Sequence, residues 1–149
     1  MIPTIDDLRA GRTLAELQGL TEELGRAIAA LGEREARVGD PGVASAILEG
    51  LAVMNPRDAI AWALLSQVER RRGYLARAVL FAEAAARLAP DDRQVRLVRA
   101  EAWLAIPEEA GPGRERRREA AQAELASLRS GSDAVAVRAA ALHRALGGG

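Results

Sequence analysis

Apolar residues in this chain recur at helical spacing, and proline or glycine interrupts them at regular places. The stretch "MNPRDAIAW", 54–62, shows the pattern. Pro56 cannot continue a helix, so one ends there. Asp58 is placed to cap the next helix, and Trp62 is that helix's first large packing residue. A looser copy, "LAPDDRQVR", follows around Pro90, with Arg96 at the tryptophan position, which predicts weaker packing there. "RQVRLVRAEAWLAI" then reads as a helix, as does "RERRREAAQAELASLRS". The last periodic segment, "SDAVAVRAAALHRAL", is expected to start at an N-cap on Ser132 and to cover the end of the preceding helices. The terminal "GGG" is expected to fray.

The breaks share one period. Pro56 and Pro90 are 34 residues apart, as are Gly39 and Gly73, Ala44 and Ala78, Leu31 and Leu65, and Asp58 and Asp92. This punctuation resembles the tetratricopeptide repeat, a helix–turn–helix unit. In the best unit, Trp62, Leu65, Ser66, Ala78, Ala85 and Pro90 match the pattern, while Glu69 and Ala82 stand where aromatics are usual. The preceding unit matches at Leu31, Gly32, Ala44 and Pro56. In the third, Ala100 and Trp103 hold the small and aromatic positions. With an expanded turn at 107–113 adding about nine residues, Ala121, Leu125 and Leu128 take the packing positions of its second helix. The expected division is a leader over 1–24, repeats over 25–58, 59–92 and 93–131, and a capping helix with a tail over 132–149. The fold class is all-α, a superhelix of about three helix pairs.

Such a superhelix has a concave face lined by the first helix of each pair. Residues rotated away from the packing positions should point into it. The resemblance thus places Arg26, Ala29, Glu33 and Ala36 there in the first repeat, and Ile60, Ala63, Gln67 and Arg70 in the second. In the third it places Gln94, Leu97, Glu101 and Leu104. A face mixing small apolar and charged groups suits an extended peptide.

The leader does not fit the repeat. Ile5, Leu8, Leu14, Leu17 and Leu20 are its apolar positions, Gly11 breaks it, and Thr21 is placed to cap a new helix. Two readings stand open: the leader folds back on its own chain, or its leucines mediate self-association.

Composition narrows the function. Alanine dominates the apolar half of the chain and aromatics are 3%, which favours closely packed helices over strands. Net charge is zero, with 21 basic and 21 acidic residues, which argues against nucleic acid and anionic membrane surfaces as partners. Every basic residue is arginine, so lysine Schiff-base chemistry and a Walker A lysine are excluded. There is no cysteine and one histidine, His143, so thiol catalysis and most zinc ligand sets are excluded. His143 reads as a surface or packing residue, and Trp62 and Trp103 as core. The carboxylates fall in helix starts and turns. Arg70–Arg72 suit the C-terminal dipole of their helix, and "RERRRE" a solvated, ion-paired face. No catalytic residue, metal ligand or cofactor is expected, and the chain is not expected to be an enzyme. No apolar run reaches the length of a membrane span, and a secretory signal is not expected.

The run "GRTLAELQGL", Gly11 to Leu20, followed directly by about three such repeats, resembles the class II translocator chaperones of bacterial type III secretion systems. The likeness covers roughly residues 8–106. It departs in the first repeat, which lacks the family's tyrosines and phenylalanines, and in the expanded turn. The resemblance implies a cytoplasmic chaperone that holds an extended segment of hydrophobic translocator proteins in its concave groove, without nucleotide, and keeps them soluble before secretion. It also implies a homodimer formed through the leader residues Ile5, Leu8, Leu14, Leu17 and Leu20. The alternatives are a general tetratricopeptide adaptor for another partner and a chaperone of needle subunits.

Overall fold

A computed structural model describes residues 4–107 and 113–147, apart from the side chain of Leu8. Most of the expanded turn and the last two glycines lie outside the described residues. Within them the chain is helical: α1 (Ile5–Arg9), α2 (Leu14–Leu17), α3 (Glu22–Val38), α4 (Pro41–Met54), α5 (Ala59–Arg72), α6 (Leu75–Leu88), α7 (Arg93–Ala105), α8 (Arg114–Leu128) and α9 (Ala134–Ala145). Consecutive helices pack as pairs, α3 on α4, α5 on α6, and α7 on α8. The second member of each pair also touches the first of the next. The fold is the expected all-α superhelix with a helical leader and a capping helix.

Local chemistry fixes the helix ends. Thr13 and Glu16 form a reciprocal capping box at α2, and Thr21 accepts from the Leu24 N–H at 3.1 Å. Asp58 accepts from the N–H groups of Ile60 and Ala61 at 3.0 and 3.2 Å, and Asp92 from that of Val95 at 3.0 Å. Both inter-repeat junctions therefore start a helix on an aspartate, where the helix dipole also favours a negative charge. At the far end of α5, Gly73 has φ 84° and closes a Schellman turn, with Tyr74 N–H donating to Glu69 O at 2.9 Å. The last helix differs from expectation. Its cap is Asp133, not Ser132: the Asp133 carboxylate accepts from Ala136 N–H at 2.7 Å and is anchored by Arg93 at 3.3 Å. An ionised acceptor outcompetes a hydroxyl at a positive helix end.

The core runs as connected clusters along the solenoid. Trp62 joins three of them, touching the group around Ala44, Leu48 and Leu65, the group around Leu51 and Ala61, and the group around Ala63, Ala82 and Val95. Its indole N–H donates to Pro56 O at 2.9 Å, so the junction proline and the packing tryptophan are tied directly. Ala121, Leu125 and Leu128 are fully buried against α7 and α9, as their register predicts. The small positions 32, 66 and 100 allow the first helix of each pair to approach the second closely. At Ser66 the hydroxyl also donates to Ala78 O at 2.7 Å, linking α5 to α6.

Arg96, at the tryptophan position of the third repeat, is a polar replacement. It pairs with Glu124 and its guanidinium donates to Ser127 Oγ at 2.7 Å, while Arg99 reaches the other Glu124 oxygen at 3.3 Å. Glu69, at an aromatic position, is fully buried, and it accepts from Ser45 Oγ at 2.7 Å and from Arg72 at 2.7 Å. Arg77 Nε stands 3.2 Å from its second oxygen without hydrogen-bond alignment. A buried carboxylate is tolerated because cations from α5 and α6 surround it.

Candidate peptide-binding face

The first helices of the three pairs lie side by side: α3 touches α5, α5 touches α7, and α9 continues the row beside α7. The residues expected on this face distribute unevenly. Glu33, Ala36 and Gln67 come together around one shallow pocket between α3 and α5, joined by Arg37, Leu64 and Arg71. Arg71 donates to Ala36 O at 3.1 Å and so fixes one wall. Arg70 and Glu101 meet across α5 and α7 at 3.1 Å.

Ile60 lies apart from these, 61% exposed, in a broad cleft with Leu20, Gly25, Arg26, Asp58 and Asp92. Gln94 is exposed on α7. Leu104 belongs to a separate pocket at the far end of α7, walled by Trp103, Ile106, Leu146 and the arginines at the start of α8.

Two expectations need correction. Ala63 is buried among Ala82, Ala85 and Val98, and Leu97 among Ala100, Leu125 and Ala139, so neither presents a side chain to the face. Both sit one residue past a packing position. α5 and α7 are covered by neighbours on two sides, which widens their buried stripe beyond that of a surface helix. Ala29 is half-buried against the cluster of Leu51, Ala52 and Ala61.

The leader folds in part onto its own chain. Leu17 is buried against its own chain, and Leu20, half-buried, packs on the cluster of Leu51, Ala52 and Ala61 while still lining the cleft with Ile60. Arg57 clamps the segment by donating to Gly11 O at 2.6 Å, and Gly11 takes φ 80°, a conformation open to glycine. Ile5 is 70% exposed, and Leu14, half-buried, lines a small apolar hollow with Val53 and Pro56. Leu8's side chain lies outside the described residues.

Sequence reasoning missed Arg138 of α9, whose Nε donates to Glu101 Oε1 at 2.8 Å. Glu101 is thereby shared by Arg70 and Arg138, and one carboxylate links three helices. The 34-residue step carries Arg70 to Leu104, one helical turn beyond Glu101, and the enlarged third repeat breaks the register before α9. The pairing therefore had no signal in the period. Trp103 donates to Glu83 at 2.9 Å under the Arg99 guanidinium, and His143 is buried, so both pack. Among the described residues, no group of three or more metal-ligating side chains converges, and no helix is long and apolar enough to cross a membrane.

No protein-family model matches the sequence, and no curated protein matches it. Solved structures do match. A type III secretion complex from Aeromonas hydrophila superimposes with TM-score 0.71 at 20% identity, covering 95% of this chain and 93% of that one. The translocator chaperone SycD of Yersinia enterocolitica gives 0.73 at 15% identity, over 90% of this chain and 98% of that one. PcrH, solved with the chaperone-binding region of PopD, gives 0.66 at 23% identity over 87% and 95%, and PcrH from Pseudomonas aeruginosa alone also matches. At these identities the likeness establishes the fold: from leader to capping helix, the chain is built as the solved type III secretion translocator chaperones are built.

Proposed function

We propose that this protein is a cytoplasmic type III secretion chaperone that holds an extended segment of a hydrophobic translocator on the face formed by α3, α5, α7 and α9. The observation that carries this reading is the near end-to-end match with the translocator chaperone SycD and with PcrH, solved in complex with the chaperone-binding region of PopD. The leader run from Gly11 to Leu20 supports it. The face itself offers shallow apolar surface at Ala36 and Leu64, flanked by polar groups at Glu33, Gln67 and Arg70 for a peptide backbone. The mechanism is binding alone. Apolar side chains of the translocator are removed from water, and its segment is kept from pairing with others. The repeats over 25–58, 59–92 and 93–131 would act as one continuous platform between the leader over 1–24 and the cap over 132–149. In this reading the homodimer uses the exposed Ile5 and the half-buried Leu14 and Leu20.

Co-expression with type III secretion translocators from the same organism tests the proposal. The expected result is a translocator that co-purifies and moves into the soluble fraction. A translocator that stays insoluble and unbound, with an unrelated protein captured instead, turns the reading to a general adaptor. Light scattering of the full chain and of a chain lacking residues 1–20 tests the dimer, and monomers in both samples refute it.

A further inference from the structure

The centre of this face holds an unequal charge set. Arg70, 29% exposed at its side chain, and Arg138, 55% exposed, share the single carboxylate of Glu101, which is 11% exposed. Each arginine takes one oxygen of Glu101, at 3.1 and 2.8 Å. Both oxygens are therefore occupied, while each guanidinium retains further N–H donors. The neighbouring pocket adds Arg37 and Arg71 and only Glu33. Among the described residues, four arginines thus face two glutamates along a stretch where an extended peptide would cross α3, α5, α7 and α9. The chain as a whole has zero net charge, so the local surplus is a property of this face.

We infer that the face selects peptide segments carrying an acidic side chain at the position that crosses the Arg70–Glu101–Arg138 bridge. A carboxylate arriving there meets planar donors already oriented by Glu101, which lowers the ordering cost of a bidentate contact. A lysine or arginine at the same peptide position meets two guanidinium groups. The acid therefore supplies register and discrimination, while apolar contacts supply most of the affinity. This inference rests on the proposed peptide-binding role.

Two substitutions have opposite expected signs. Arg138→Gln removes a largely exposed cation and should weaken selection for the acid. Glu101→Gln removes the built-in competitor and should strengthen it. A purely structural role for the bridge moves both variants the same way.

The experiment pans a phage-displayed random dodecapeptide library on the full-length protein. Selected peptides are then measured by fluorescence anisotropy against the wild type, Arg138→Gln, Glu101→Gln and a blocked control, Ala36→Arg. The expected result is binders weakened by Ala36→Arg and enriched in Asp or Glu at one position. Replacing that acid by its amide should cost about fivefold in affinity on the wild type, less on Arg138→Gln and more on Glu101→Gln. Binders that Ala36→Arg weakens but that show no acidic position, or an acid effect unchanged by Arg138→Gln, overturn this inference and leave the peptide-binding role standing. No binders, or binders indifferent to Ala36→Arg, overturn both.

Discussion

α3 and α5 hold equivalent positions in successive pairs, yet they are packed very differently. Leu65 in α5 is 1% exposed, whereas Leu31, 34 residues earlier, is 49% exposed. α5 buries Ala61, Ala63, Leu65, Ser66, Val68 and Glu69, while α3 buries only Gly32. The cause is position in the stack. α5 is flanked by α3 and α4 on one side and by α6 and α7 on the other. α3 has a pair on one side only, because the leader's α2 settles against α4 instead. A repeat sequence states what a helix offers to neighbours; the stack decides which offers are taken up.

The largest expected test of this contrast is a pair of equivalent truncations. Leu65→Ala should cost about 3 kcal/mol, within the range for a fully buried leucine, and Leu31→Ala less than about 1 kcal/mol. Urea unfolding of both variants measures the difference, and equal losses would mean that α3 is covered in solution by something outside this single chain. A smaller effect is expected at Gly32. A Cβ there would stand 2.9 Å from Leu48 Cδ2 and Cγ, although Ser66 and Ala100 carry side chains at the equivalent positions. Gly32→Ala should therefore destabilise by about 1 kcal/mol, overpacking outweighing the gain in helix propensity. A stabilised variant would show that α3 moves off α4 freely.

The smallest expected effect concerns the cap of α9 and is read as a titration. The Ala136 N–H donates to the Asp133 carboxylate and holds its pKa below the ordinary aspartate value, with the Arg93 guanidinium adding to this. The folded carboxylate thus keeps its charge to lower pH than the unfolded one. Its contribution to stability is complete above the unfolded aspartate pKa and is lost as pH falls through the lowered folded value. An NMR titration of Asp133 should give a midpoint below that of an unstructured aspartate, and an ordinary midpoint would remove the cap's electrostatic role.

The fold was legible because its punctuation is chemical. Proline at 56 and 90, aspartate at 58 and 92, and small residues at 32, 66, 100, 44 and 78 each answer a local steric or hydrogen-bonding demand. The candidate face was legible only in part. Glu33, Ala36, Gln67, Arg70 and Glu101 follow from register, but Ala63 and Leu97 lie at the edge of the buried stripe, where a few degrees of helix rotation decide exposure. Arg138 lay beyond the period, and the burial of Glu69 depends on Ser45 and Arg77, which come from other helices.

The clamp between leader and junction has a practical consequence. Arg57 grips Gly11 through the glycine's backbone carbonyl, an acceptor that every amino acid supplies. Substitutions elsewhere in the leader therefore leave that acceptor in place, whereas alanine at Gly11 would strain the φ 80° backbone and set a Cβ 3.3 Å from the Arg57 guanidinium. The side-chain half of the grip comes from the arginine 46 positions downstream, so changing Arg57 releases the contact without touching the leader.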